Sequence, residues 1–208
     1  LNIGGIANIS ARSADKYVSF DICPANRVLN LLAAKAGKVY DDGGAIAASG
    51  NVNPALLATL NNFPFYGEQY PKSLSNDFGV GVIYPLILQE ESRTENALRT
   101  YTEHIALQVT AAVEQIKKNI SPETEPATML VTGGGAFNTF LIQSIREQVK
   151  QHNIELLVPD EKIIQYKEAL VMALIGVLRW REENNVMSSV TGAMRNSVGG
   201  AIWMGQEA

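Results

Sequence analysis

The sequence is poor in the residues that build metal sites, disulfide frameworks and nucleic-acid surfaces. Its 208 residues include one cysteine, Cys23, and two histidines, His104 and His152. An intrachain disulfide is therefore excluded, and no Cys/His cluster offers a zinc site. A reducing compartment such as the cytoplasm fits this composition. Seventeen Lys and Arg stand against 21 Asp and Glu, for a net charge of -4. With no basic run, bulk charge recruits neither nucleic acid nor anionic lipid. Low-complexity segments and fixed-period repeats are missing as well. The longest apolar stretch, 169–178, is too short to cross a bilayer and runs into Arg179, Arg181, Glu182 and Glu183. The expectation is a soluble protein with no membrane partner. The chain opens at Leu1 without Met and without a signal-peptide pattern, directly on strand-like residues, so an N-terminal region is expected to be missing.

What is present is a hydrophobic content of 46%, enough for one large domain or a domain with a subdomain. Residues 1–10 and 17–20 read as a hairpin around the turn-prone stretch 12–16. Pro24 marks a helix start, with Val28, Leu29, Leu31 and Leu32 on its apolar face. Residues 40–62 read as short helical pieces broken by Gly43, Gly44 and Gly50. Residues 63–81, rich in Phe, Tyr and Pro, read as a long ordered loop of the kind that carries function. The clearest helix spans 94–119, with Leu98, Tyr101, Ile105, Val109, Ala112, Val113 and Ile116 on one face. A buried strand over 128–131 follows, then Gly133-Gly134-Gly135, a helix over 138–151, a strand over 154–158 and a helix over 169–183. Residues 188–203 are expected to return as loop and edge strand. Strand, glycine turn, helix, strand, helix is an α/β pattern.

Two glycine turns stand out. Gly133-Gly134-Gly135 lies between a buried strand and a helix, and Asn138 follows. Glycine lets the backbone take positive φ and approach a ligand closely, and the next helix offers free N–H groups at its positive end. A nucleotide site and a plain strand-to-helix turn both fit. The spacing matches neither a dinucleotide fingerprint nor a P-loop. Gly4-Gly5, between Asn2 and Asn8, interrupts the first strand and reads as an anion-facing turn or a bulge. Asp21 ends a strand just before Pro24, where its carboxylate could serve as a general base in a cleft or cap the next helix. Asp41-Asp42-Gly43-Gly44 suits sugar hydroxyls, Mg²⁺ or a capping turn.

Taken in order, these stretches resemble the anhydro-N-acetylmuramic acid kinase family. The matches are 2–10, Phe20-Asp21 with Pro24 and Asn26, Tyr40-Asp41 with Gly43 and Gly50, Pro71-Lys72-Ser73, 133–138, Glu168-Ala169 and 189–193. They run over the whole chain. The resemblance implies an actin/hexokinase-like (ribonuclease H-like) lobe, a mixed central sheet with helices on both faces, with residues 1–208 as the C-terminal lobe and the N-terminal lobe outside the chain. It implies ATP and Mg²⁺ as cofactors, a sugar substrate, and cleavage of a 1,6-anhydro ring by water with phosphorylation of O6. Asp21 takes the position of the base that activates the water. Gly4, Gly5, Asn8, Gly133, Gly134, Gly135 and Asn138 are implied for the nucleotide, and Pro24, Asn26, Asp41, Lys72 and Ser73 for the sugar. No residue is assigned to a metal, and a homodimer is an open expectation. The sequence departs from the family pattern at Ile22, Cys23, Ala25, Asn30 and at 74–77, where Asn76 replaces an Arg and removes a positive charge. These departures bear on sugar specificity. They leave open another amino-sugar kinase of the same fold and a catalytically degenerate sensor lobe.

Cys23 is expected to be a small packing residue. His104 is expected to be exposed on the long helix, and His152 to lie on the surface. Glu168 is expected in the first turn of a helix whose Ala169, Ala173 and Gly176 allow a second helix to approach closely.

Overall fold

The computed structural model describes residues 1–13, 16–119 and 127–205. The centre of the turn expected over 12–16 therefore lies outside the described residues. Three strands form an antiparallel sheet: β1 (Asn2–Ile3), β2 (Ile6–Ser13) and β3 (Lys16–Pro24), in the order β1-β2-β3. Two more, β4 (Ala127–Leu130) and β5 (Ile154–Leu157), pair in parallel. A parallel bridge between Asn2 and Thr132 joins the two sets. Ile3 N–H donates to Thr132 O (2.8 Å) and Thr132 N–H to Leu1 O (2.9 Å). The result is the mixed α/β sheet expected, with strand order β3-β2-β1-β4-β5.

Alternation along the strands decides which face is packed. In β2 and β3, Ile9 sits opposite Phe20 and Ser10 opposite Ser19. Ile9, Val18, Phe20 and Ile22 are buried, while Asn8, Ser10, Ser19 and Asp21 take the other face. Three helices build the core with the apolar face: α1 (Asn26–Ala34), α6 (Thr94–Asn119) and α7 (Thr139–Lys150). Between α1 and α6 run the shorter α2 (Ala45–Ser49), α3 (Pro54–Asn61), α4 (Pro64–Gly67) and α5 (Tyr84–Glu90). The segment expected as one long loop is thus interrupted by α4 and by a π-helical turn over Phe78–Ile83.

The other face of the sheet is only lightly covered. A short helix, α9 (Ser188–Thr191), meets β3 there. The long α8 (Glu161–Trp180) touches the sheet through Lys167, whose Nζ donates to Thr132 Oγ1 (3.0 Å) and to Asn2 Oδ1. Only Ile164 of α8 is buried. Leu170 is 70% exposed and Trp180 68%. This helix starts eight residues before its expected start, because Asp160 caps it by accepting from Ile163 N–H (3.0 Å). Glu168 is consequently mid-helix. The C-terminal return is one antiparallel bridge, Val186 with Ser197, beside α9.

His104 corrects the expectation of exposure. Its surface is fully covered, because α3 packs a second side of α6 and the Tyr66 ring of α4 closes over it. Its Nδ1 meets Asn61 Oδ1 (2.7 Å) and its Nε2 meets Tyr66 OH (3.1 Å). Burial lowers its pKa from 6.5 to about 3, which keeps the ring neutral. His152 is partly covered, 3.5 Å from Glu114 Oε1. Cys23 is buried in the core, and burial pushes its thiol far up.

Candidate functional site

The glycine turn between β1 and β2 starts α1. The N-cap residue Ala25 contributes no side-chain cap. Carbonyls of the turn take its place: Gly5 O accepts from Ala25 N–H (2.8 Å) and Gly4 O from Asn26 N–H (3.0 Å). These bonds satisfy donors that a helix start leaves unpaired. Asp21 is therefore released from capping.

Its carboxylate faces a cleft of about 530 Å³. Asn8 lies directly across the ladder from Asp21, at a bulge between Ala7 and Asn8. Asn8, Ser19 and Asp21 line one side of this cleft, and Pro71, Lys72, Ser73, Val190 and Thr191 the other. The 71–74 segment is tied to β3 at two points. Asp21 N–H donates to Lys72 O (3.1 Å), and Leu74 N–H donates to Asp21 Oδ2 (2.8 Å). A carboxylate fixed through one oxygen on the wall of a cleft suits a general base.

A second cavity, about 470 Å³, opens beside the triple glycine. Asn26, Asn30, Asp41, Asp42, Gly43, Gly134, Gly135, Phe137 and Asn138 are among its walls. Gly133 has φ +83°, and a Cβ there would lie 2.6 Å from Ile3 O. A side chain at Gly135 would run into Ile3 itself. Only glycine lets this turn close onto β1. The two glycine turns thus meet through Ile3, the residue next to Gly4. The Asn26 side chain bridges them, its Nδ2 donating to Ile3 O (3.1 Å).

The residues implied for the sugar do not gather in one place. Lys72 and Ser73 border the Asp21 cleft, whereas Asn26 and Asp41 border the glycine cavity. Both oxygens of Asp41 are occupied in capping α2, accepting from Ile46 N–H (2.8 Å) and Ala47 N–H (2.9 Å). Pro24 is buried, its ring against Gly79 and its carbonyl accepting from Tyr101 OH (2.8 Å). Its ring is thus a packing group and not a wall of the Asp21 cleft. Asn138 caps α7, accepting from Leu141 N–H (3.0 Å), while also lining the glycine cavity. The Lys72 ammonium turns toward Phe65 O (3.1 Å) and lies 4.7 Å from the Phe65 ring centre.

Sequence reasoning missed four contributors. Val190 and Thr191 reach the Asp21 cleft from a stretch matched to the family but given no role. Phe137 stands 46% exposed at the glycine cavity. Lys167 ties α8 to the strand end beside Gly133. Its partial burial lowers the lysine pKa.

Fold and site together define a mixed α/β protein with a glycine-built cavity and a separate cleft lined by Asp21. The family profile described as anhydro-N-acetylmuramic acid kinase matches residues 1–205. The chain belongs to the anhydro-N-acetylmuramic acid kinase family. It is similar to the anhydro-N-acetylmuramic acid kinase of Saccharophagus degradans, 30% identical over 207 residues, covering 97% of this chain and 54% of that protein. The kinase of the same name from Vibrio vulnificus strain CMCP6 is 29% identical over 206 residues, covering 98% and 54%. That from Haemophilus influenzae is 30% identical over 217 residues, covering 98% and 56%. The chain thus spans about half the length of the curated relatives it matches. Among solved structures, an activator of the 2-hydroxyisocaproyl-CoA dehydratase from Clostridium difficile with bound ADPNP aligns with a TM-score of 0.48 at 20% identity, over 81% of this chain and 55% of that one.

Proposed function

We propose that this chain is the C-terminal lobe of a two-lobed, cytoplasmic, ATP-dependent kinase that opens the 1,6-anhydro ring of anhydro-N-acetylmuramic acid and phosphorylates O6. The product is N-acetylmuramic acid 6-phosphate, and the place of the reaction is cell-wall recycling. The observation that carries the reading is the Asp21 carboxylate, fixed by Leu74 N–H on the wall of a cleft. Family membership supplies the substrate class.

The glycine cavity fits a nucleotide. The backbone at Gly134 is exposed, the neighbouring glycines leave no Cβ in the way, and Phe137 offers a ring face at the wall. Gly134, Gly135 and Asn138 would hold ATP there, with Gly4 and Gly5 beside them. Bound ATP, with Mg²⁺ neutralising its phosphates, supplies the phosphoryl group. Among the described residues no cluster of three or more His, Cys, Asp or Glu is arranged to hold a metal ion.

The chemistry asked of this chain is the proton. Asp21 Oδ1 takes a proton from a water molecule as the water oxygen bonds to C1 of the sugar. The C1–O6 bond breaks, and O6 becomes the acceptor of the phosphoryl group. Leu74 N–H keeps Oδ2 in place throughout, and Asn8 and Thr191 border the sugar. Positioning supplies most of the rate in such transfers.

Two features support a second lobe. Curated relatives are nearly twice as long as the matched region. The face of α8 is apolar and uncovered, and a Cβ at Gly176 would meet nothing within 4 Å. The other lobe is its proposed occupant; a second copy of this chain is the competing outcome.

The test uses a protein carrying this chain with the remainder of the family's length, incubated with ATP, Mg²⁺ and the anhydro-sugar in ¹⁸O-water. The 6-phosphate should form with label on C1. No sugar phosphate, or label in the phosphate group, would overturn the proposal.

A further inference from the structure

Lys72 is implied by the resemblance as a sugar contact, but its ammonium is committed elsewhere. It donates to Phe65 O at 3.1 Å. It lies 4.7 Å from the Phe65 ring centre and 5.9 Å from that of Phe20, within cation–π range of both. Phe20 precedes Asp21 and is itself stacked on Tyr70, with centroids 5.1 Å apart and planes 9° apart. The backbone at Lys72 and Leu74 holds Asp21: Lys72 O accepts from Asp21 N–H, and Leu74 N–H donates to Asp21 Oδ2.

One lysine therefore has its backbone on Asp21 and its side chain anchored in α4. We infer that Lys72 is a positioning residue for Asp21: its ammonium, held between Phe65 and Phe20, presses the 71–74 strap onto β3 and so aims the Asp21 carboxylate into the cleft. The inference rests on the reading of Asp21 as the base. The wall the cleft gains from Lys72 is its stem and backbone, not its charge. The Lys72 ammonium is partly desolvated, which lowers its pKa, as expected for a cation turned into protein rather than toward ligand.

The variants are Lys72→Met, which keeps the stem without the ammonium, Lys72→Gln, too short to reach Phe65 O, and Lys72→Arg, which restores charge and donors. The first readout is hydrogen exchange at the Leu74 amide in the 208-residue chain, with the Val109 amide in the core as a folding control. Lys72→Met and Lys72→Gln should speed Leu74 exchange about tenfold or more while leaving Val109 unchanged, and Lys72→Arg should restore most of the protection. The second readout is steady-state kinetics of the longer protein. Misaiming the base should lower kcat about tenfold or more with KM for the sugar within about threefold. Unchanged Leu74 exchange in Lys72→Met and Lys72→Gln would overturn the inference. A raised KM with kcat intact would do so too, by assigning Lys72 to the sugar. Because exchange needs no turnover, an inactive protein or an active Asp21→Asn variant would sink the base reading without deciding the strap.

Discussion

His104 sits between Asn61 and Tyr66 with no exposed surface, and the free energy of that burial is readable against pH. The folded ring resists protonation until about pH 3, whereas in the unfolded chain it takes a proton near 6.5. Below 6.5 the unfolded state therefore binds more protons, and stability falls as pH falls. Urea unfolding of the chain between pH 6.5 and 5, above the range where most carboxylates titrate, should show this slope. His104→Gln should flatten it, since His152 remains in both proteins; an equal slope in both would contradict the assignment. The spacing of α6 marks one apolar stripe correctly, from Leu98 to Ile116. It gives no sign that Asn61 and Tyr66, some 40 residues away, close a second side over His104. Asp21 is legible for the opposite reason. A carboxylate at a strand end before Pro24 is a local pattern, and only its freedom from capping needed the three-dimensional position of Gly4 and Gly5.

The elements themselves show where local signals suffice. Helix α6, β4, α7 and β5 fall close to their expected bounds, because hydrophobic period and glycine turns act within a few residues; the strand expected over 1–10 is instead β1 and β2, folded back antiparallel at Gly4-Gly5, and β3 extends past its expected 17–20 to Pro24. The start of α8 was missed because the apolar run begins at Ala169, while the true start is set by Asp160 and a charged first turn. The loop over 63–81 hid α4 behind Pro64, which is a helix-starting residue as much as a loop residue. The pair Asp41-Asp42 was ambiguous between ligand and cap, and the hydrogen bonds of Asp41 are those of a cap. Its carboxylate holds two amides of α2 beside the glycine cavity. Asp41→Ala should lower stability by about 2 kcal/mol, since both amides lose their acceptor. Denaturant unfolding measures it; a loss under about 0.5 kcal/mol would mean the amides find other partners. At Gly133, alanine would face both positive φ and Ile3 O. Gly133→Ala should lower the unfolding midpoint and weaken binding of an ATP analogue together, by separating the triple glycine from β1. Unaltered analogue binding would remove that turn from the nucleotide site.

At the scale of the whole molecule, the uncovered faces are the informative part. The outward side of the sheet carries Asp21 and Asn8, and α8 leaves Leu170, Met172, Leu174 and Trp180 open. An apolar helix of this kind marks an interaction surface, and in the proposed function its cover is a second lobe. The 208-residue chain alone should then form no sugar phosphate, because a phosphoryl group held from one side lacks both alignment and charge stabilisation. It should also self-associate at high concentration, which sedimentation would detect, and Leu170→Lys with Leu174→Lys should reduce that association. Turnover by the isolated chain would mean that a complete site lies within it. The clefts could not be separated from sequence, since Asn26 and Asp41 border one and Lys72 the other, with Asp21, although all match one family pattern.

The most direct test of the account concerns Asp21 in the longer protein. Asp21→Asn keeps the shape of the side chain and the acceptor for Leu74 N–H but removes the base. The value of kcat should fall about 10²–10⁴-fold or more, with the affinity for ATP nearly unchanged. Turnover equal to that of the unaltered protein would contradict it and leave Asp21 as a group that only anchors the 71–74 strap.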